Sequence, residues 1–391
     1  MNKTLNDFHS PNVFTMFPNP RELYSKTFNP KVISFDFPSF SLYNLTFKIC
    51  KEHLYSSLQL SKSCHVFPNR DTFEAQSIGA CYGQVANNLP PVAFVINMFE
   101  QNIIHKMRIY NPDQATLEAS RGSLLSLVIG VPNEDIQSIA NDISSANNWV
   151  QNNILKYTPG VNFRYIVVGN EINPSNDPTS QFVLRAMQNI YSALASANLQ
   201  NQIKISTAIN MGLLGSSYPP SAGAFSASAI PYITSIVGFL VNTEAPLLAN
   251  VHPYFAYIGD PQNIPLDFAL FKQQGNNAVG YQNLFDAQLD SVYAALEKVG
   301  GSSVKIVVSE SGWPSAGGDV ATIENARTYY SNLINHANSG NGTPLRPGQA
   351  IETYLFAMFD ENQKPGAATE QHFGLFNPVG TSPKYILSFN K

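Results

Sequence analysis

Charge is scarce in this sequence. Only 13% of its 391 residues are Asp, Glu, Lys or Arg, and the formal net charge is a mild −4. A nucleic-acid partner usually leaves a basic footprint, so that class is excluded. Histidine and cysteine are also rare, at 7 and 3. No CxxC, HxH or HExxH spacing occurs, which argues against a built-in zinc site, and no cofactor motif stands out. Cys50, Cys64 and Cys81 are an odd set that makes no disulfide framework, so stability must come from packing. No uninterrupted apolar run reaches the about 18 residues of a membrane span. A secretory leader is missing as well. The start is not a basic stretch followed by roughly 7–15 apolar residues and a small-residue cleavage site.

What is present is apolar material, 44% of the chain. That is enough for a large core under a surface of Asn, Ser and Tyr. The material is unevenly spread. Residues 1–75 are rich in Phe, Pro, Asn and Ser and hold neither strand nor helix period for long. They carry 8 basic and 6 acidic residues, which leaves 15 and 21 for the remainder. We read 1–75 as an irregular extension outside the folded domain, and 76–391 as one domain.

From Gln76 onward short β-branched runs recur: "IGACYG" (78–83), "HKMRIY" (105–110), "LLSLVIGV" (124–131), "FRYIVVGN" (163–170), "IKISTAI" (203–209), "LLANVHPYF" (247–255), "VKIVVSE" (304–310) and "TYLFAMF" (353–359). Helical stretches lie between them. Residues 133–155 place Ile136, Ile139, Ala140, Ile143, Ala146 and Val150 on one face; 179–198 and 283–300 behave alike. Eight strands alternating with helices predict a (β/α)8 barrel. The alternative, an open doubly wound sheet, usually carries a Gly-rich phosphate loop after its first strand, and "GACYGQVANNLPP" is not one.

Barrel active sites lie at the C-terminal ends of the strands. Strand four, "YIVVGNE", ends on Asn170 and Glu171. Strand seven, "VKIVVSE", ends on Glu310, and Glu361 falls just past strand eight. Two strand-end carboxylates with few bases and no metal ligands suit glycoside hydrolysis. One gives a proton to the leaving oxygen, and the other attacks the anomeric carbon or activates water. A gap of about 5–5.5 Å between them implies retention, and about 6.5–9.5 Å inversion. Neighbours on a strand point to opposite faces, so Asn170 and Glu171 can both serve the mouth only if the strand bulges, which Gly169 permits.

Simpler readings compete. A lone strand-end Glu is as readily a capping or surface acid; two in matched settings are not. Trp313 is a sugar platform or a packing residue. Tyr110 caps the core or reaches the site. His252, before Pro253, reads as a structural histidine rather than a base. Glu297 and Glu324 sit in helical stretches and read as solvated.

Several blocks in order, "QSIGACYGQVANNLP", "KMRIYNPD", "VIGVPNEDI", "YIVVGNEINP", "LLANVHPYFAY", "VVSESGWPSAGG" and "ETYLFAMFDENQKPGAATEQHFGLFNP", span about Gln76 to Phe389. They resemble the plant endo-1,3-β-glucanases of glycoside hydrolase family 17. The resemblance implies a retaining enzyme with Glu171 as general acid/base and Glu310 as nucleophile. It places Tyr110, Asn170, Tyr254 and Phe356 in the sugar cleft. It adds Glu361, Lys364 and Glu370 as a polar cluster beside the nucleophile, where Lys364 can help keep Glu310 ionised. The implied partner is a β-glucan such as callose, fungal wall glucan or laminarin, acted on by a monomer in the extracellular space or cell wall.

Two departures stand out. An unrelated 75-residue segment replaces the family's cleaved leader, which suggests an alternative first exon. His252 stands where many relatives have Tyr, with little expected effect on chemistry. The end, "YILSFNK", shows no Cys-rich binding module, lipid-anchor tail or vacuolar-type extension. Asn341-Gly342-Thr343 is a glycosylation sequon for a secreted chain. Rival readings are a mixed 1,3-1,4-β-glucan hydrolase, a non-catalytic glucan-binding protein, and a metal hydrolase on the same fold, which lacks ligands here.

Overall fold

The β-branched runs form strands, and the strands close on themselves. In the computed structural model, which describes residues 77–389, eight parallel strands make a closed barrel. They are β1 (Ile78–Cys81), β2 (Lys106–Ile109), β3 (Ser126–Val131), β4 (Asn162–Asn170), β5 (Lys204–Asn210), β6 (Leu247–Asn250), β7 (Ile306–Ser311) and β8 (Thr353–Leu355). The ring closes where Gly79 of β1 lies opposite Tyr354 of β8. The expected extension, residues 1–75, lies outside the described residues. Helices pack around the barrel: α1 (Val92–Gln101), α2 (Gln114–Ala119), α3 (Ile136–Asn141), α4 (Ile143–Val150), α5 (Ser180–Ser196), α6 (Ile230–Thr243), α7 (Pro253–Gly259), α8 (Leu266–Ala269), α9 (Leu284–Lys298) and α10 (Ile323–Ser339). This is a (β/α)8 barrel and not an open sheet. A short antiparallel hairpin, Leu214–Ser216 with Ala224–Phe225, follows β5 and has no counterpart among the expected strands.

Strand alternation sorts the side chains into two cores. Met107, Ile109, Leu127, Ile129, Ile166, Val168, Ile205, Leu247, Ile306 and Val308 face the helices. Cys81, Val128, Tyr165, Val167, Ala208, Leu248, Val307 and Tyr354 fill the barrel interior. Both faces of each strand are buried, which is why the strands read as near-continuous apolar runs.

One expected helix is broken. The 133–155 stretch splits at Asp142, whose backbone is extended (φ −134°, ψ 117°) and whose carboxylate accepts from Ser144 N to cap α4. A break resets the helical phase. Ile143 therefore turns outward, at 46% exposure, and Trp149 takes the buried place.

The N-terminal end of the barrel is closed by charge. Glu352 accepts a fork from Arg164, Nε at 2.9 Å and Nη2 at 2.7 Å, and a bond from Tyr354 at 3.0 Å. Lys106 Nζ lies 3.5 Å away. Burial pushes the Glu352 carboxyl up, but Lys106 and Arg164 outweigh it and hold the carboxyl below its ordinary range. A depressed folded-state pKa stabilises the fold above the ordinary carboxylate pKa and loses that contribution on acidification. Glu352→Leu should cost about 3 kcal/mol at neutral pH, because Lys106 and Arg164 lose their carboxylate. Urea unfolding at pH 7 checks this, and the gap from wild type should narrow as the pH falls below the ordinary carboxylate pKa.

Candidate active site

At the end of β4 the strand abandons its alternation. Its pairing with β5 shifts register between Val167 and Asn170. Gly169 sits at φ +87°, and a Cβ there would lie 3.0 Å from Ile172 Cδ1. Glu171 also adopts a left-handed backbone, at φ +57°. Left-handed conformations are uncommon for non-glycine residues and cluster at working sites. Asn133 clamps the bulge: its Oδ1 accepts from Asn170 N at 3.0 Å, and its Nδ2 donates to Asn170 O at 3.1 Å. Consequently Asn170 and Glu171 both point into the barrel mouth, as the sequence required of a bulged strand.

β7 breaks its alternation similarly. Its pairing with β6 shifts between Ala249 and Asn250, so that Asn250 lies opposite Glu310. Ser309 donates inward to Asn250 Oδ1 at 2.7 Å, and the next residue, Glu310, also faces the mouth. Between the two acids lies Arg108 from β2. Its Nη1 donates to Glu310 Oε1 at 3.0 Å, Asn250 Oδ1 at 3.0 Å and Ser309 O at 2.8 Å; its Nη2 donates to Asn170 Oδ1 at 2.7 Å. Tyr110 donates to Glu310 Oε1 at 2.8 Å. Asn250 Nδ2 donates to Glu171 Oε1 at 2.7 Å. One hydrogen-bonded chain thus joins Glu171, Asn250, Arg108 and Glu310.

The two carboxylates differ in setting. Glu310 is buried, at 7% exposure. Burial alone would raise its pKa, but Arg108, the neighbouring His252 and Lys364 more than offset that and lower it to about 2. Glu171 is exposed at the rim. Glu361, buried beside them, is pushed up by burial and by Glu310 and Glu370, against the Val85 N–H and Lys364. Gly83 must be glycine here, since a Cβ would fall within 2.4 Å of the Glu361 carboxylate. Lys364 lies 3.5 Å from Glu370 and 4.0 Å from Glu361, with its Nζ over the Phe356 ring at 4.1 Å.

These groups line one cleft of about 1030 Å³. Glu171, Glu310, Tyr110, Asn170, Phe356, Glu361, Lys364 and Glu370 all border it. Two expected residues do not. Trp313 is fully buried; its ring packs on Tyr254, Tyr257 and Tyr329, and its Nε1 donates to Val320 O. Tyr254 is 2% exposed and lies beneath the cleft floor against Trp313. The Gly/Pro loop after β7 looked too thin to bury a Trp, yet α7 and α10 supply aromatic partners for it. His252 corrects in the other direction: it is a cleft residue, with Nε2 3.5 Å from Glu310 Oε2.

Arg108 and Asn250 were missed. Their signal was the inward register of their strands. Lys106 and Arg108 alternate with Met107 and Ile109 in "KMRI", and inside a barrel alternate positions do not reach solvent.

Two carboxylates on barrel strand ends, one buried and held ionised, one exposed on the rim of a wide cleft, define a glycoside hydrolase. A sequence profile of "Glycosyl hydrolases family 17" matches residues 78–389, and the chain belongs to that family. It is 58% identical over 325 residues to a glucan endo-1,3-beta-glucosidase of Vitis vinifera, covering 82% of this chain and 93% of that protein. It is 57% identical over 317 residues to an acidic glucan endo-1,3-beta-glucosidase of Nicotiana tabacum, covering 81% and 92%. Among solved structures it superposes on a β-1,3-glucanase and allergen of Cryptomeria japonica pollen with TM-score 0.78 at 46% identity, covering 81% of this chain and 99% of that one.

Arg108→Met should raise the Glu310 pKa, because burial is then opposed by fewer charges. The acid limb of kcat/KM should move upward in pH by at least about one unit, with kcat at the optimum reduced about 100-fold. A pH–rate profile on a soluble β-glucan checks both.

Proposed function

We propose that the protein is a retaining endo-hydrolase of 1,3-β-glucosidic linkages in β-glucans, with Glu310 as nucleophile and Glu171 as general acid/base. The observation that carries the reading is the contrast between the two acids. Glu310 is buried, ionised and fixed by Arg108 and Tyr110, as a nucleophile needs to be. Glu171 sits at the rim, held by one amide donor and open to water, as a group that gives and takes protons needs to be. In the first step Glu310 attacks the anomeric carbon while Glu171 protonates the departing oxygen. In the second, Glu171 takes a proton from water, which attacks the same carbon and frees the sugar. Asn170, held by Arg108 at the junction, suits a contact to the sugar 2-OH that strengthens in the transition state.

Supporting the substrate class, the relatives above are named for 1,3-β-glucan cleavage. The wide cleft admits a polymer in mid-chain, which suits endo action. Such glucans are wall materials, and we place the activity in the extracellular space or cell wall. A solved structure at 46% identity and TM-score 0.75 belongs to a study of two plant β-glucan endohydrolases with distinct substrate specificities, so linkage preference is the discriminating measurement. Laminarin should release reducing ends far faster than a cereal mixed-linkage glucan; the opposite order would select the 1,3-1,4 reading.

Glu310→Gln should lose at least about 10⁴-fold in kcat while still folding cooperatively, with a lowered Tm because Arg108 loses its carboxylate. Glu171→Ala should lose less on substrates with good leaving groups. In the presence of azide it should yield the β-glycosyl azide, since the anion then replaces water in the second step. Proton NMR of the products reads the anomer; an α-azide from the Glu171 variant would reverse the two roles.

A further inference from the structure

The two oxygens of Glu310 are not equivalent. Oε1 accepts from Tyr110 Oη at 2.8 Å and Arg108 Nη1 at 3.0 Å. A carboxylate oxygen has about two in-plane lone pairs. Both are engaged on Oε1, which leaves it poorly placed to form a new bond. Oε2 has a different environment, with Nε2 of His252 at 3.5 Å.

His252 is built into the wall in one orientation. Its ring stands edge-on to Phe255, Phe356 and Phe373, with centroids 5.5, 5.9 and 5.9 Å away. Its side chain is 11% exposed. Its Nδ1 is buried and meets no hydrogen-bond partner among the described residues. A neutral imidazole carries one N–H. Were that proton on Nδ1, a donor would be buried without an acceptor, and the Nε2 lone pair would face a carboxylate. With the proton on Nε2, the donor faces Oε2 and only a weak acceptor is left unmet. The setting therefore selects the Nε2–H tautomer. A 3.5 Å approach is long for a hydrogen bond, but such contacts are often loose in the empty enzyme and tighten with substrate.

We propose that Oε2 is the attacking atom of Glu310 and that His252 is its positioning residue, a reading that rests on the retaining mechanism proposed above. One lone pair of Oε2 forms the bond to the anomeric carbon as the glycosidic C–O bond breaks, and the departing oxygen takes the proton of Glu171. In the second half, water attacks that carbon, its proton passes to Glu171, and the electron pair of the C–Oε2 bond returns to Oε2. His252 meets a full negative charge on Oε2 only before attack and after release. It therefore assists departure of the carboxylate more than its attack. Losing the donor should slow the second half-reaction and let the glycosyl-enzyme accumulate.

The test compares His252→Phe, which keeps a ring among the phenylalanines, with His252→Gln, whose amide nitrogen can stand near the Nε2 position. Each is assayed with laminarin and with 2,4-dinitrophenyl β-laminaribioside, and melting curves establish folding; His252→Leu replaces the Phe variant if that one does not fold. With H252F, kcat should fall about tenfold, the effect of one hydrogen bond to a charged group. KM should fall with it, and a burst of dinitrophenolate should precede the steady state. H252Q should recover most of kcat and shorten the burst. The assignment is overturned if H252F keeps kcat within twofold of wild type. It is equally overturned if both variants lose activity alike with KM rising and no burst, as a purely structural or sugar-contacting residue would. Wild-type protein inert toward both substrates would overturn the functional reading itself, and this assignment with it.

Discussion

A guanidinium sealed inside a barrel governs this site. Arg108 is 1% exposed, and desolvating a charge so completely is costly unless anions and dipoles surround it. Here Glu310, Asn250, Asn170 and the Ser309 carbonyl surround it, drawn from β4, β6 and β7. The same contacts that make Arg108 tolerable also hold the buried carboxylate ionised. Neither group would be stable there without the other. The site is therefore an electrostatic unit spread across four strands, and its geometry is the geometry of the barrel.

The unit forms only because strands stop being regular at their C-terminal ends. The pairings of β4 with β5, of β6 with β7 and of β7 with β8 all shift register close to the cleft. Regular alternation would have sent one of each adjacent pair, Asn170 or Glu171 and Ser309 or Glu310, toward the helices. Bulges aim both members inward. The left-handed backbone at Gly169 and Glu171 is the local strain that accompanies this, with the Asn133 clamp holding it.

The strands were legible because each is a β-branched run buried on both faces, and the two acids because they stand where such runs end. Even the bulge was legible, from the adjacency of Asn170 and Glu171 behind a glycine. Arg108 and Asn250 were not. Their importance lies in which way an alternating position points, and periodicity within one strand does not say which of its two faces turns into the barrel. Trp313 misled for a related reason: its loop is Gly- and Pro-rich, but helices distant in sequence cover it, and Tyr254 on one of them is drawn down against the Trp313 ring instead of into the cleft. Ile143 misled because a capping carboxylate one residue earlier restarted the helical phase. His252 looked structural since nothing local ties it to a carboxylate nearly sixty residues away.

Asn250 connects the two acids by offering opposite ends of one amide. Its oxygen accepts from Arg108 and Ser309, and its nitrogen donates to Glu171. Spontaneous hydrolysis of that amide to an aspartate would exchange one donor for a third negative charge between Glu171 and Glu310. The side chain is 2% exposed, so the water such hydrolysis requires is largely kept from it. By keeping water from this one carboxamide, the barrel preserves both the acceptor end that faces Arg108 and the donor end that faces Glu171.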